Sequence, residues 1–159
     1  SLSCYNNKLT SLDIKELTKL SYLHCSSNPL ENLNVQGLTN LNTLYCGSSQ
    51  LTSLNVQGLI NLESLDCTDN LLTSLNVQGL INLATLNCGH NKLNALNVQS
   101  LTRLSTLYCF QNQLTSINVQ GMTNLKYIDC SNNSFNNIIV DGLTNLTHLH
   151  CSNNLLNLN

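Results

Sequence analysis

The sequence predicts a solenoid. One parallel β-sheet of about eight short strands lines one side of the coil. Turns and extended or 3₁₀ segments form the other side, with little or no α-helix. Three observations predict it. Cysteine recurs at Cys4, Cys25, Cys46, Cys67, Cys88, Cys109, Cys130 and Cys151, and every gap is 21 residues. Around each cysteine, apolar and polar residues alternate. Three residues beyond it stands an asparagine in seven of the eight units (Asn7, Asn28, Asn70, Asn91, Asn112, Asn133 and Asn154), with Ser49 in the eighth. A fixed period of this length marks an architecture in which one unit cannot bury its own apolar face and its neighbours must.

Numbering each unit from the leucine five residues before the cysteine, Leu41, Leu44, Cys46, Leu51, Leu54, Val56 and Leu59 occupy positions 1, 4, 6, 11, 14, 16 and 19. Replacements elsewhere are conservative: Ile117, Met122, Ile128, Phe135 and Ile138. Positions 4 and 6 are apolar while 3, 5 and 7 are polar or variable, which is one short strand with a single buried face. Strands 21 residues apart need a return path, so they run parallel. At ~4.8 Å per strand, eight units make a rod on the order of 35–40 Å long. On the return, Gly37, Gly58, Gly79, Gly121 and Gly142 recur at position 18, where a turn is required. Glu16 and Ser100 fill that slot in two repeats, so it does not always demand positive φ. The inward asparagine at position 9 offers donors and an acceptor to a backbone that has left the sheet. Ser49 is too short for that span, which makes Gly47–Ser48–Ser49 the turn expected to be loosest.

Eight cysteines in a short chain first suggest disulfides or a metal cluster. Metal-binding cysteines usually come as C-x-x-C pairs, and none occurs. Disulfide Cβ atoms sit about 3.8 Å apart, whereas in-register neighbours lie ~4.8 Å apart. The column is therefore expected to be buried reduced thiols acting as small hydrophobes, with no cofactor and no metal.

The unit L-x-x-L-x-C-x-x-N-x-L resembles the leucine-rich repeat over all 159 residues. A 21-residue unit with one cysteine is similar to the cysteine-ladder group of bacterial surface proteins to which an internalin of Listeria belongs. Leu33 to Leu41 (Leu-Asn-Val-Gln-Gly-Leu-Thr-Asn-Leu) departs from the Leu-Asp-Val-Ser that is usual in that group. The resemblance implies an extracellular or cell-surface location and a non-catalytic binding role.

Composition sets the excluded classes. Charged residues are 9% of the chain and the net charge is −2, which argues against nucleic acid as a partner. No apolar run is long enough to insert in a membrane. No nucleophile elbow, phosphate loop or zinc-helix motif suggests an enzyme. Function is then expected on the positions that vary. Positions 3, 5, 7 and 8 collect all five Tyr, all four His and one of the two Phe, whereas Asn-Val-Gln is repeated five times on the other half. A varied aromatic front on a monotonous back fits a concave binding face for a protein or glycan ligand. Its candidate residues are Tyr5, Tyr22, His24, Tyr45, Asp66, Tyr108, Phe110, Tyr127, Asp129, His148 and His150. The alternative is that aromatic pairs merely stabilise an exposed sheet. Asp129, His148 and His150 share a face, but the ~6.5–7 Å strand rise between the two histidines is long for one ion. Glu63, Asp66 and Asp69 form an acidic spot. A threonine column (Thr18, Thr39, Thr102, Thr123, Thr144) would suit an ice-binding surface, but Ile60 and Ile81 interrupt it.

Residues 1–159 are expected to form a single solenoid of seven full repeats with partial ends, a fragment of a longer array. The first layer (Leu2, Cys4, Leu9, Leu12) and the last (Leu146, Leu149, Cys151, Leu156) match interior layers. Leu158 and Asn159 depart too little to form a cap. Uncapped ends invite head-to-tail self-association, so a structural filament is the alternative function.

Overall fold

The computed structural model describes residues 1–157; Leu158 and Asn159 lie outside the described residues. Eight strands follow in chain order: β1 (Leu2–Ser3), β2 (Tyr22–His24), β3 (Thr43–Tyr45), β4 (Ser64–Asp66), β5 (Thr85–Asn87), β6 (Thr106–Tyr108), β7 (Tyr127–Asp129) and β8 (His148–His150). They form one parallel sheet in sequential order. Each residue pairs with the one 21 places on, as in Tyr22↔Thr43 and Leu44↔Leu65. No helix of any type occurs among the described residues.

The core is the stack of apolar columns. Leu44, Cys46, Leu51, Val56, Leu59 and Leu62 are each 0% exposed, and the interior repeats bury the same positions. Each buried leucine contributes about 1.5–3 kcal/mol. All eight cysteines are free thiols, six of them fully buried. Cysteine is small enough for a column beside the sheet, and its thiol has a second use. The Sγ of Cys67, Cys88 and Cys130 donates to the Asn87, Tyr108 and His150 carbonyls of the next strand at 3.4–3.5 Å. Burial, with a smaller contribution from Cys4, pushes the Cys25 thiol up to about 12. Burial and Cys151 do the same to Cys130. A thiol held so high is protonated at neutral pH and is no nucleophile.

The return path is extended at Leu-Asn-Val and then makes two consecutive turns; its extended part contains no 3₁₀ segment. In the second repeat the Leu38 N–H donates to the Val35 carbonyl and the Leu41 N–H to the Leu38 carbonyl. Gly37 has φ +80 at the third place of the first turn, the geometry of a type II turn. Where Glu16 and Ser100 replace glycine, the same bond closes at 2.9 Å without positive φ.

A second strained position went unread in the sequence. Position 8 (Asn6, Ser27, Ser48, Asp69, His90, Gln111, Asn132, Asn153) has φ of 49–56 throughout. Its four Asn and Asp residues and its single His are the types that tolerate this left-handed region. The turn is set by the next residue. Asn70 Nδ2 donates to the carbonyls of Cys46, Cys67 and Thr68, and its Oδ1 accepts the Leu51 N–H at 2.9 Å. Asn91, Asn112 and Asn133 repeat this pattern.

The Ser49 turn departs from it. Ser49 Oγ reaches only the Gly47 carbonyl, at 3.4 Å, so the Leu30 N–H has no asparagine acceptor. Instead the chain kinks at Pro29, and the Leu30 N–H donates to the Asn28 carbonyl at 2.7 Å. Pro29 is the chain's one proline, and its fixed φ suits this three-residue turn. The two departures therefore compensate each other. Pro29→Gln alone should destabilise by about 1–3 kcal/mol by orphaning the Leu30 N–H. Ser49→Asn alone should change little. The two together should couple favourably by about 1 kcal/mol or more in urea unfolding, and strictly additive effects would contradict the account.

Candidate functional site

The strand geometry fixes what faces outward. In β2 to β7 the central residue is buried while the first and third are half-buried on the opposite face. Position 3 and position 5 side chains thus form one surface, and position 7 borders it. All eleven candidate residues lie on this surface or its border. They are not spread evenly over it.

The first group gathers on β1 to β3. Tyr5 and His24 stack with ring centroids 4.5 Å apart and planes 12° from parallel. His24 meets Tyr45 edge-on at 5.4 Å, and Tyr22 meets Tyr45 edge-on at 6.0 Å. Tyr5 remains 55% exposed, so this shelf offers apolar area to solvent. A second group gathers on β6 to β8. Tyr127 lies 5.0 Å from Tyr108, and His148 and His150 stack on it at 5.5 and 5.3 Å. The two histidines therefore serve as ring partners. Among the described residues no group of three or more His, Cys, Asp or Glu could hold a metal ion.

Phe110 belongs to neither group. A Cβ on Gly89 would come within 2.5 Å of its ring, so the ring lies across the glycine backbone. It makes a T-shaped contact with His90, ring centroids 6.2 Å apart. Glycine at 89 is therefore required for Phe110 to lie flat.

Between the shelves runs a polar strip of Asp66, Thr68 and Asn87. Asp66 Oδ1 accepts the Thr68 N–H at 3.0 Å. Burial raises the Asp66 carboxyl above the usual carboxylate range, against the lowering effect of that bond and of the Asn87 side chain. Asp129 is held the same way, its Oδ1 accepting the Ser131 N–H at 3.0 Å and the Ser131 hydroxyl at 2.6 Å. Asp69 pairs with His90 at 3.2 Å, and the exposed Glu63 stands before β4, so the acidic spot does not converge on one point.

Two further hydrogen-bonded columns on the back were not read in the sequence. At position 17, Nε2 of Gln36, Gln57, Gln78 and Gln99 donates to a carbonyl of the next repeat. At position 21, Nδ2 of Asn40, Asn61, Asn82, Asn124 and Asn145 donates to a carbonyl of the previous one. Their repetition every 21 residues was the available signal. The repeated residues of the back thus carry hydrogen bonds between repeats, and the front positions are free of that task.

No protein-family model matches the chain, and no curated protein does. Among solved structures, the chain is similar to the functional domain of InlJ from Listeria monocytogenes, which includes a cysteine ladder. Identity is 30%, the TM-score is 0.87, and the match covers 98% of this chain and 40% of that one. It is similar to a leucine-rich-repeat protein of Leptospira interrogans, at 29% identity and TM-score 0.88, over 94% of this chain and 42% of that one. It is also similar to internalin C2 from Listeria monocytogenes, at 31% identity and TM-score 0.86, covering 92% of this chain and 68% of that one. The chain therefore spans less than half the length of the first two.

Asp66 yields a test of the site's electrostatics. Its folded-state pKa is raised, so between the unfolded value and the raised one the folded state binds more protons than the unfolded state. Its contribution to stability then falls as pH rises through that interval. Asp66→Asn, which keeps an acceptor for the Thr68 N–H, should match the parent below the interval and be the more stable protein above it. Urea unfolding from pH 3 to 7 checks this; a variant less stable at pH 7 would contradict it.

Proposed function

This chain belongs to the leucine-rich-repeat proteins of the internalin kind, and on that premise we propose that it is a non-catalytic binding module of a bacterial surface or secreted protein. The partner is a protein, and it docks on the outer face of the sheet. The observation that carries this reading is the division of labour between the two sides. The back is committed to hydrogen bonds between repeats, whereas the front bears all five tyrosines in a background of small polar residues. Tyrosine gives large contact area with a polar tip and little conformational entropy to lose, which is why it dominates binding hot spots.

The aromatic pairs within each shelf also contribute to stability, by about 0.2–1 kcal/mol per cross-strand pair. That contribution does not explain why Tyr5 is left 55% exposed or why the aromatics fall into two separate groups. An open sheet face without a cleft suits a macromolecular surface rather than catalysis on a small molecule. Three depressions of the surface lie elsewhere, at residues 16–20, at 94–99 with 115–118, and around Glu31, Gln50 and Leu71.

Tyr45→Ala with Tyr108→Ala should weaken the partner at least tenfold, the loss of two hot-spot side chains, while circular dichroism and the urea midpoint show an intact fold. Ile60→Ser, on the back and 54% exposed, should leave affinity unchanged. Binding that survives the tyrosine pair and fails with Ile60→Ser would move the site to the back.

A further inference from the structure

The outer face has a charge pattern unlike the rest of the chain. Positions 3, 5, 7 and 8 contain Asp66, Asp69 and Asp129 and neither lysine nor arginine. All six basic residues sit at positions 2, 10, 17 and 21: Lys126; Lys8 and Lys92; Lys15; Lys19 and Arg103. With neutral histidines the face carries −3, while six basic against the remaining five acidic residues leave the other surfaces at +1, within a total of −2. The whole-chain charge conceals this segregation.

Two of the three aspartates are built alike. Asp66 pairs in register with Tyr45 on the preceding strand, and Asp129 pairs in register with Tyr108. Each carboxylate is oriented by the backbone N–H two residues on, at 3.0 Å, through Oδ1. Asp66 also takes a side-chain hydrogen bond from Asn87, the Oδ2 of Asp129 accepts none among the described residues, and neither carboxylate has a cationic side chain within 4.0 Å. Asn87 lies between the two pairs. The same Tyr–Asp arrangement therefore occurs twice, three strands apart, or about 14 Å along the solenoid at ~4.8 Å per strand.

An aromatic ring beside a half-buried, pre-oriented carboxylate is suited to a cation. The ring attracts it through its quadrupole and the carboxylate accepts its N–H groups. Two such sites about 14 Å apart match two side chains four residues apart on an extended segment, at ~3.3–3.6 Å per residue. We propose that the partner presents a basic extended segment along the solenoid, with one arginine or lysine on Tyr45–Asp66 and a second, four residues away, on Tyr108–Asp129. The proposal rests on the assignment of the binding face made above and names the chemistry that this face selects.

The test uses the 159-residue chain and a synthetic Gly/Ser peptide with two arginines four residues apart, followed by amide NMR titration. A control peptide carries glutamine at both places. The arginine peptide should shift the signals of Asp66–Thr68 and Asp129–Ser131 together and bind at least tenfold more tightly than the control. Asp66→Asn with Asp129→Asn, which keeps both Oδ1 acceptors, should weaken it at least tenfold. Equal binding of the two peptides, or binding indifferent to the aspartate variants, overturns the basic segment while leaving the face as a protein-binding surface. No binding of the arginine peptide at millimolar concentration also overturns it; the face itself is judged by the tyrosine variants and the natural partner.

Discussion

In every interior repeat but the one with Ser49, the turn out of the sheet depends on one inward asparagine. Asn91 is representative. Its Nδ2 donates to the Cys67, Cys88 and Gly89 carbonyls and its Oδ1 accepts the Leu72 N–H, all within 3.2 Å. Two of those partners belong to the preceding repeat, so the side chain both closes its own turn and ties neighbouring repeats together. Without it, backbone groups at the edge of an apolar core would be left unpaired, at about 1–3 kcal/mol each. The left-handed residue at position 8 brings the chain round to where the asparagine can reach, and the small buried cysteine leaves room beside it.

The rest of the molecule follows from that closure. Turns and back are held by the same hydrogen bonds in repeat after repeat. The outward strand positions make no such bonds and are free to carry tyrosine, histidine and aspartate. Their spacing is inherited from the coil. Aromatic rings meet across strands, and two Tyr–Asp pairs recur in one register. The half-buried Asp66, raised in pKa by its surroundings, lies on the outer face of the sheet and outside the structural columns.

The sequence was legible wherever a residue type repeats. The cysteine period marked the strands, their parallel order and the buried columns, and the glycines marked the first turn of the return path. The left-handed backbone at position 8 has no sequence signature, because its residue changes from Asn to Ser, Asp, His and Gln while its backbone stays constant. The bonds of Gln78 and Asn82 run to exposed backbone carbonyls of neighbouring repeats, a pairing that the repeat of a residue type does not reveal. The return path has no 3₁₀ segment in the repeats with glycine at position 18 or in those with Glu16 and Ser100. On the front, variability singles out the candidate residues, whereas their division into two shelves depends on ring rotamers. Nor did the sequence foretell that Pro29 answers Ser49, a relation between residues in different repeats.

The primacy of the inward asparagine is tested most directly by urea unfolding of Asn91→Ala beside Gln78→Ala. Both side chains bond across repeats, but Gln78 donates to the Asn97 carbonyl at an exposed site. The account predicts a loss of about 3 kcal/mol or more for Asn91→Ala and about 0.5 kcal/mol or less for Gln78→Ala. Equal losses, or a larger one for Gln78→Ala, would contradict it.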